Sequence, residues 1–228
     1  MNDLMNSVIP KNIWRQDKML LPPALSEHEI LAELRSFADK NQVVTSLIGM
    51  GYNSCHIPPV ILRNILENPA WYTAYTPYQP EISQGRLEAI LNFQTMIIDL
   101  TGMGIANGSL LDEATAAAEA MTLASRAKKT SGNRFLVDPD THPQTISVLK
   151  TRAKPLGIII DVQPIGEVVT DDYFGGLLSY PSSSGLVREL TAEIALIHKA
   201  GGLAIVCADL LALALFTPPG EMGADVVV

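Results

Sequence analysis

Residues 109–150 read SLLDEATAAAEAMTLASRAKKTSGNRFLVDPDTHPQTISVLK, and this stretch decides the fold. The alanine-rich run has apolar residues at helical spacing, which predicts a helix over about 112–129. The short apolar run at 135–137 predicts a strand, and Pro143 opens a second predicted helix over 143–153. A helix, a strand and a helix in direct succession are typical of an α/β domain.

The same alternation continues to the end of the chain. Short apolar runs predict further strands at 158–160, 177–180 and 203–207, and a helical pattern falls at 188–199. Helices that regularly separate short apolar strands predict a mostly parallel sheet with helices on both faces. Residues 226–228 are three valines, so we expect a strand that is cut through and hence a fragment of a longer protein.

The first part of the chain predicts helices and loops. Residues 1–25 show no hydrophobic period, and we expect them to form an extended arm. Ser26 and Glu29 have the spacing of a capping box, which predicts a helix over 27–39.

Two more helices are predicted before residue 109. Pro58-Pro59 opens a short helix that stops at Asn68-Pro69, and a longer helix is expected over 84–99. The residues expected on the buried side of the longer helix are Leu87, Ile90, Leu91, Met96 and Ile97. The predicted domains are an arm at 1–25, a helical segment with an interface loop at 26–108, and an incomplete α/β domain at 109–228.

Composition excludes several classes of function. The net charge is −8 and the isoelectric point is near 4.9, whereas a nucleic-acid-binding protein presents a basic face. No run approaches the roughly 20 apolar residues of a membrane span. Cys55 and Cys207 are too few for a disulfide framework and lack metal-site spacing, so we expect a reducing compartment and no metal. The N-terminus lacks a signal core and an arginine-rich presequence, which favours a bacterial cytoplasm.

Asn107-Gly108-Ser109 precedes the helix at 112–129 and allows two interpretations. Free backbone amides and the positive end of the helix dipole favour an anion such as a phosphate. Asp112 and Glu113, however, lie in the first turn, and Ser109 with Asp112 matches a capping box that would satisfy these amides. Two carboxylates also repel a phosphate, which favours a capped structural helix.

His142 and Asp209 each follow a predicted strand, at the edge where open α/β sheets bind ligands. His142 precedes a helix, so it is either part of a site or simply a helix cap or a surface group. Capping by itself explains the position of Asp209 before residues 210–215.

The stretch 75–88, YTPYQPEISQGRLE, is too polar and aromatic for a core segment. Loops with two prolines are rigid connectors, so a loop packed under a helix is one interpretation and a functional segment is the other. The residues predicted to be functional are Tyr75, Tyr78, Gln79, Glu81, Ser83, Gln84 and Arg86.

Several long motifs resemble the N-terminal half of the glycine cleavage system P-protein, over about residues 10–228. They are ILRNILENP at 61–69, the stretch 75–88, SLLDEATAAAEA at 109–120, HPQT at 142–145, ADLLAL at 208–213 and PPGE at 218–221. The resemblance implies the large domain of a fold-type I pyridoxal-phosphate transferase. For the intact enzyme it implies decarboxylation of glycine on pyridoxal phosphate, with transfer of the aminomethyl group to the lipoyl arm of the H-protein. A homodimer, or pairing with a C-terminal half, is implied as well.

The resemblance also assigns roles to residues. Ser109, Thr115, His142 and Asp209 match cofactor-binding positions of catalytic halves, His142 a histidine that stacks on the pyridoxal ring and Asp209 an aspartate that pairs with the ring nitrogen. We expect them to be vestigial and the chain to hold no catalytic residue, because the last lysine, Lys199, precedes Asp209 and no Schiff-base lysine follows.

The segment from Tyr75 to Arg86 is instead expected to lend side chains to the other half, near the glycine site and the channel for the lipoyl arm. Two alternatives are a scaffold that contributes only a dimerisation surface, and an aminotransferase or desulfurase with a lysine just beyond Val228.

Overall fold

The computed structural model describes residues 1–15, 17, 19–72, 76, 78–127, 130–166 and 172–228. The chain forms two compact units, Met1–Ser46 and Leu47–Val228. The predicted division into an arm, a helical segment and an α/β domain stays a prediction. Among the described residues, no helix is long and apolar enough to cross a membrane.

The first unit contains α1 (Asn2–Val8) and α2 (Glu27–Ala38). The predicted capping box of α2 is confirmed, since the Glu29 amide donates to Ser26 Oγ (3.4 Å) and the Ser26 amide donates to Glu29 Oε2 (2.8 Å). The expectation of an extended arm is wrong at α1. Two helical turns are too few for a hydrophobic period to become visible in the sequence.

Short helical segments open the second unit. α3 (Pro59–Ile61) continues into a π-helical turn (Leu62–Leu66), and α4 (Pro69–Tyr72) follows. α5 (Gln84–Thr101) is the long helix predicted over 84–99. It ends at Gly102, whose φ of 69° is the left-handed conformation that glycine adopts without a steric penalty.

The carboxyl end of α5 is attached by a backbone hydrogen bond to the segment between β4 and β5. Thr101 is buried, and its carbonyl accepts a hydrogen bond from the Gly220 amide (2.9 Å). Leu87, Leu91 and Met96 are 38%, 61% and 49% exposed, so the prediction that they are buried is wrong within this chain. Helical spacing identifies an apolar face, but it does not say what covers that face.

In the described part of the chain, five parallel strands form one sheet in the order β2-β1-β3-β4-β5. They are β1 (Arg134–Val137), β2 (Ile159–Val162), β3 (Tyr173–Tyr180), β4 (Leu203–Ala208) and β5 (Val226–Val227). The accompanying helices are α6 (Glu113–Ala127), α7 (Pro143–Ala153) and α8 (Thr191–Lys199), with 3₁₀ turns at Lys154–Leu156 and Ala212–Ala214. The predicted parallel α/β sheet is confirmed.

The sheet is buried on both faces. Phe135 and Val137 of β1 pack with α6 and α7, whereas Leu136 between them packs with α8. This alternation is that of a strand with a core on each side. The prediction that helices cover both faces is therefore confirmed.

A β-bulge at Phe174 changes the faces of β3. The register shifts there, because Phe135 pairs with Gly175 and leaves Phe174 as the extra residue. Phe174 and Leu177 consequently pack on the same face, although strict alternation would separate them. The strand also begins four residues before the predicted 177, since the glycines ahead of Leu177 interrupt the apolar run.

Candidate functional site

Polar residues collect at the carboxyl ends of β1, β3 and β4, the edge at which parallel sheets bind ligands. Residues 138–142 follow β1, a serine-rich loop at 181–184 follows β3, and Asp209 follows β4. The amino ends of α6 and α7 meet at this edge, where Thr145 Oγ1 donates to Glu113 Oε1 (3.0 Å). Three of the four residues predicted to bind a cofactor, Thr115, His142 and Asp209, thus follow a strand or open a helix at this edge.

Asp138 is 3% exposed and forms an ion pair at this edge with Arg188. Its carboxylate also accepts a hydrogen bond from the Asp140 amide (2.9 Å), and Arg188 lies 3.6 Å from Glu193 of α8. A buried carboxylate requires such partners. Arg188 is absent from the sequence predictions because its partner lies 50 residues away along the chain. The helix predicted over 188–199 begins later, at Thr191, so Arg188 lies in the segment before α8.

Asp140 holds the loop that follows β3. Its carboxylate accepts hydrogen bonds from the Ser184 hydroxyl (2.5 Å) and amide (3.0 Å), and its carbonyl accepts one from the Ser183 amide (2.7 Å). The Ser184 hydroxyl, above all, lowers the pKa of Asp140 below its ordinary value of 3.8, against an opposing effect of burial. The Asp140 carboxylate therefore stabilises the loop after β3. The sequence pattern alone did not indicate this role.

Asp112 caps α6. Its side chain accepts hydrogen bonds from the Thr115 amide (3.1 Å) and hydroxyl (2.5 Å), and these bonds, the hydroxyl's first, lower the pKa of Asp112. The capped helix is present, but the predicted box of Ser109 with Asp112 is wrong. Because α6 begins at Glu113, Asp112 is itself the cap, and Ser109 Oγ donates to the Leu110 carbonyl (2.9 Å).

Glu113 adds a second carboxylate to the start of α6. It accepts the hydrogen bond from Thr145, which is 1% exposed, and it lies near Cys207 of β4. Burial, with the Glu113 carboxylate as a further cause, raises the pKa of Cys207 well above its ordinary value. The thiol therefore stays protonated, and a thiolate nucleophile is not available here.

His142 precedes α7 and contacts a glycine-rich turn from the beginning of the unit. A Cβ built on Gly51 would lie 2.8 Å from His142 Nε2, and Gln144 Nε2 donates to the Met50 carbonyl (2.9 Å). Among the described residues, His142 Nδ1 is buried without a hydrogen-bond partner. His142 occupies the N-cap position of α7, as the capping interpretation predicts, but its side chain makes no capping hydrogen bond.

Asp209 is exposed and folds back on its own turn. Its Oδ1 accepts a hydrogen bond from the Leu211 amide (3.0 Å), and its carbonyl accepts one from the Leu213 amide (3.2 Å). Its own amide donates to the Tyr180 carbonyl of β3 (3.1 Å). The Asp209 carboxylate thus forms an Asx turn ahead of the 3₁₀ turn Ala212–Ala214, whose own N-cap is Leu211.

These contacts fit pyridoxal phosphate, the cofactor that the resemblance implies, poorly. A phosphate at the start of α6 would meet the carboxylates of Asp112 and Glu113, which repel it and already serve the helix. The Nε2 end of His142 contacts Gly51, and the carboxylate of Asp209 is bonded within its turn. The side chains that would surround the cofactor are engaged by the protein itself.

A cleft of about 1120 Å³ lies between α5, α6 and the outer edge of β5. Ser109 lines it, whereas the described residues Thr115, His142 and Asp209 do not. The predicted cofactor residues therefore do not share one cavity. Within the described ranges, no group of three or more His, Cys, Asp or Glu side chains is placed to hold a metal ion.

The segment predicted to lend polar side chains lies at the surface ahead of α5. Tyr75 lies outside the described residues. Tyr78 is 75% exposed, so packing under a helix of this chain is wrong for that residue. The other predicted residues are the exposed Gln79, Glu81 and Gln84 and the partly buried Ser83 and Arg86.

The fold and this edge place the chain in the class of open α/β domains with a parallel sheet. At the edge where such domains bind ligands, the polar side chains of this chain bond mostly to other residues of the chain itself. A profile of the glycine cleavage system P-protein family matches residues 1–228. The chain belongs to this family.

Curated relatives agree with the match. The chain is 58% identical over 228 residues, its whole length, to the glycine dehydrogenase (decarboxylating) of Cereibacter sphaeroides, and spans 24% of that protein. It is 60% identical over 228 residues, 99% of its length, to the enzyme of the same name from Paraburkholderia phytofirmans, and spans 23% of it. The match falls in the N-terminal part of these relatives.

A solved structure agrees as well. The crystal structure of glycine decarboxylase (P-protein) of the glycine cleavage system, in inhibitor-bound form, superposes with a TM-score of 0.88 at 35% identity. The superposition covers 100% of this chain and 52% of the other. The predicted family and fold are therefore confirmed.

Proposed function

We propose that this chain is the N-terminal part of a glycine decarboxylase. The full-length protein, meaning this chain with the additional length of its relatives, decarboxylates glycine and passes the aminomethyl group to the lipoyl arm of the H-protein. Pyridoxal phosphate, when bound, withdraws electrons from the glycine Cα. The family match and the name of the relatives support this reaction.

The part of this chain in the reaction is to complete the interface and to lend polar side chains to a site held elsewhere. One observation carries this proposal: Tyr78, Gln79 and Glu81 of the described part of the segment before α5 are exposed, while Asp112 and Asp209 near the sheet edge are bonded within the chain. The catalytic lysine belongs to the remaining length, since no lysine follows Lys199 here.

The proposed partners are the lipoylated H-protein and a C-terminal half or second subunit, within a homodimer in the bacterial cytoplasm. A bacterial source of the relatives supports the location. The apolar side chains that α5 leaves exposed support an interface with the additional length.

Replacement of Tyr75 or Tyr78 by phenylalanine in the full-length protein tests this role. Each change removes one hydroxyl, and loss of a hydrogen bond to a charged group lowers kcat/KM by roughly 10- to 100-fold. The rate of glycine decarboxylation is measured together with the thermal midpoint, which is expected to stay constant.

The matched control is Tyr72→Phe, at a tyrosine that is 65% exposed and lies outside the predicted set. It is expected to leave turnover unchanged. Unchanged turnover in all three variants would favour the second candidate function, a scaffold that contributes only a dimerisation surface, which the exposed apolar face of α5 also supports.

A further inference from the structure

The turn Gly49-Met50-Gly51 has an uncommon backbone. All three residues have left-handed φ angles, 65° at Gly49, 55° at Met50 and 84° at Gly51. Glycine adopts this conformation freely, but a methionine does so at a cost in free energy. Two local hydrogen bonds close the turn, from the Tyr52 amide to the Gly49 carbonyl (3.0 Å) and from the Asn53 amide to the Gly51 carbonyl (3.1 Å).

Two side chains at the start of α7 hold this turn from a distance in sequence. Gln144 Nε2 donates to the carbonyl of Met50, the residue with the unfavourable φ, at 2.9 Å across 94 positions. The imidazole of His142 approaches Gly51 so closely that a Cβ there would lie 2.8 Å from Nε2, 3.2 Å from Cδ2 and 3.3 Å from Cε1. Ordinary Cβ contacts are longer, so the ring and the glycine fit only because Gly51 has no side chain.

The turn leads directly to polar side chains at the surface. Tyr52 is 63% exposed and Asn53 is exposed. Gln144 bonds to this turn and His142 packs against it. Together these contacts fix the direction in which the residues after the turn leave the α/β core. Such support from neighbouring side chains is what a functional group needs in order to keep a defined position.

We infer that His142 and Gln144 are positioning residues: they hold the Gly49–Gly51 turn and thereby the placement of Tyr52 and Asn53. His142, which the family resemblance assigns to a cofactor ring, serves here as a support for backbone. The structural part of this inference stands on the contacts alone, whereas its effect on turnover rests on the proposed function.

The test is a double-mutant cycle in the full-length protein with Gly51→Ala, His142→Ala and the double variant. We expect Gly51→Ala to lower kcat for glycine decarboxylation at least tenfold, with little change in KM or thermal midpoint. The double variant should be slower than His142→Ala by no more than Gly49→Ala is slower than the unmodified protein, because removal of the ring removes the collision and leaves only the conformational penalty of alanine at a left-handed φ. Independent, multiplying effects of the two changes would overturn the inference.

Gly49→Ala is the matched control, since Gly49 has a left-handed φ as well but a Cβ there meets nothing within 4 Å. It separates the collision with His142 from the conformational penalty that both alanines share. An equal loss of kcat in Gly49→Ala and Gly51→Ala would show that the ring contact is unimportant.

Hydrogen exchange of a peptide covering residues 49–53 gives a readout that does not depend on activity. Gln144→Met, which keeps the volume but loses the donor, is expected to speed exchange of the Tyr52 and Asn53 amides at least tenfold, with exchange in the body of α7 unchanged. Unchanged exchange contradicts the inference. If exchange responds but the unmodified full-length protein does not decarboxylate glycine, the proposed function fails and the support of the turn stands.

Discussion

At the scale of single residues, the carboxylates after β1 act on the protein and not on a ligand. Asp138 is neutralised by Arg188, and Asp140 is bonded to Ser184. Both contacts join the end of β1 to the segment between β3 and α8, so they fix the loops along the edge of the sheet. Carboxylates at this position in the sequence could equally belong to a ligand-binding site. Only their hydrogen-bond and ion-pair partners show that they stabilise the loops instead.

The pH dependence of the Asp140 contact follows from the lowered pKa. Because the folded-state pKa lies below the ordinary 3.8, the contact contributes fully above about that pH and is lost as the pH falls through the folded-state pKa. Ser184→Ala is expected to raise the pKa of Asp140 towards 3.8, as observed in a titration of the carboxyl carbon by NMR. Ser183→Ala is the control, since Ser183 binds Asp140 through its backbone amide. Equal shifts in both variants would contradict the assignment to the hydroxyl.

At the scale of elements, β3 shows why its beginning is poorly visible in the sequence. Gly175 and Gly176 have low strand propensity, yet they occur where the backbone of β3 lies close to β4 and α8. A Cβ on Gly175 would lie 2.8 Å from the Leu203 carbonyl of β4, and one on Gly176 would lie 2.8 Å from Ile197 Cδ1 of α8. Tertiary contact therefore overrides local propensity in this strand.

The loss of stability on alanine substitution of these glycines is expected to be larger where the atoms that the added Cβ meets are more rigid. Gly175→Ala meets backbone and should lower the free energy of unfolding by about 1–3 kcal/mol, and Gly176→Ala, which meets a flexible side chain, by less. Gly166→Ala, with nothing within 4 Å, should change it by less than about 0.5 kcal/mol. Urea unfolding of the three variants measures the order, and a loss at Gly166 as large as at Gly175 would refute it.

At the scale of the whole molecule, the apolar surface is larger than this chain can bury. Leu91 and Met96 of α5 are exposed by 61% and 49%, and Leu62 and Leu66 in the π-helical turn are exposed by 42% and 50%. The chain spans about a quarter of the length of its curated relatives. We attribute the exposed face to contacts with that additional length.

Leu91→Glu tests this attribution. In the full-length protein a covered leucine contributes about 1.5–3 kcal/mol, and a buried charge adds a further penalty, so the thermal midpoint is expected to fall by several degrees. Leu156→Glu, at a leucine of similar exposure (56%) in the 3₁₀ turn after α7, is expected to have little effect. The attribution fails if the two variants melt alike.

The sequence by itself determined the succession of helices and strands from residue 84 onward, the parallel sheet and the start of α2, because hydrophobic period, short apolar runs and caps are local properties of the chain. It also predicted a cap at the start of α6, although the cap is Asp112 itself and not a box with Ser109. Only the tertiary structure decided that Arg188 neutralises Asp138, that Gly51 contacts His142 and that part of α5 remains uncovered. These pairs are 50 and more positions apart, and a sequence pattern carries no information about which distant side chain will arrive beside a given residue when the sheet forms.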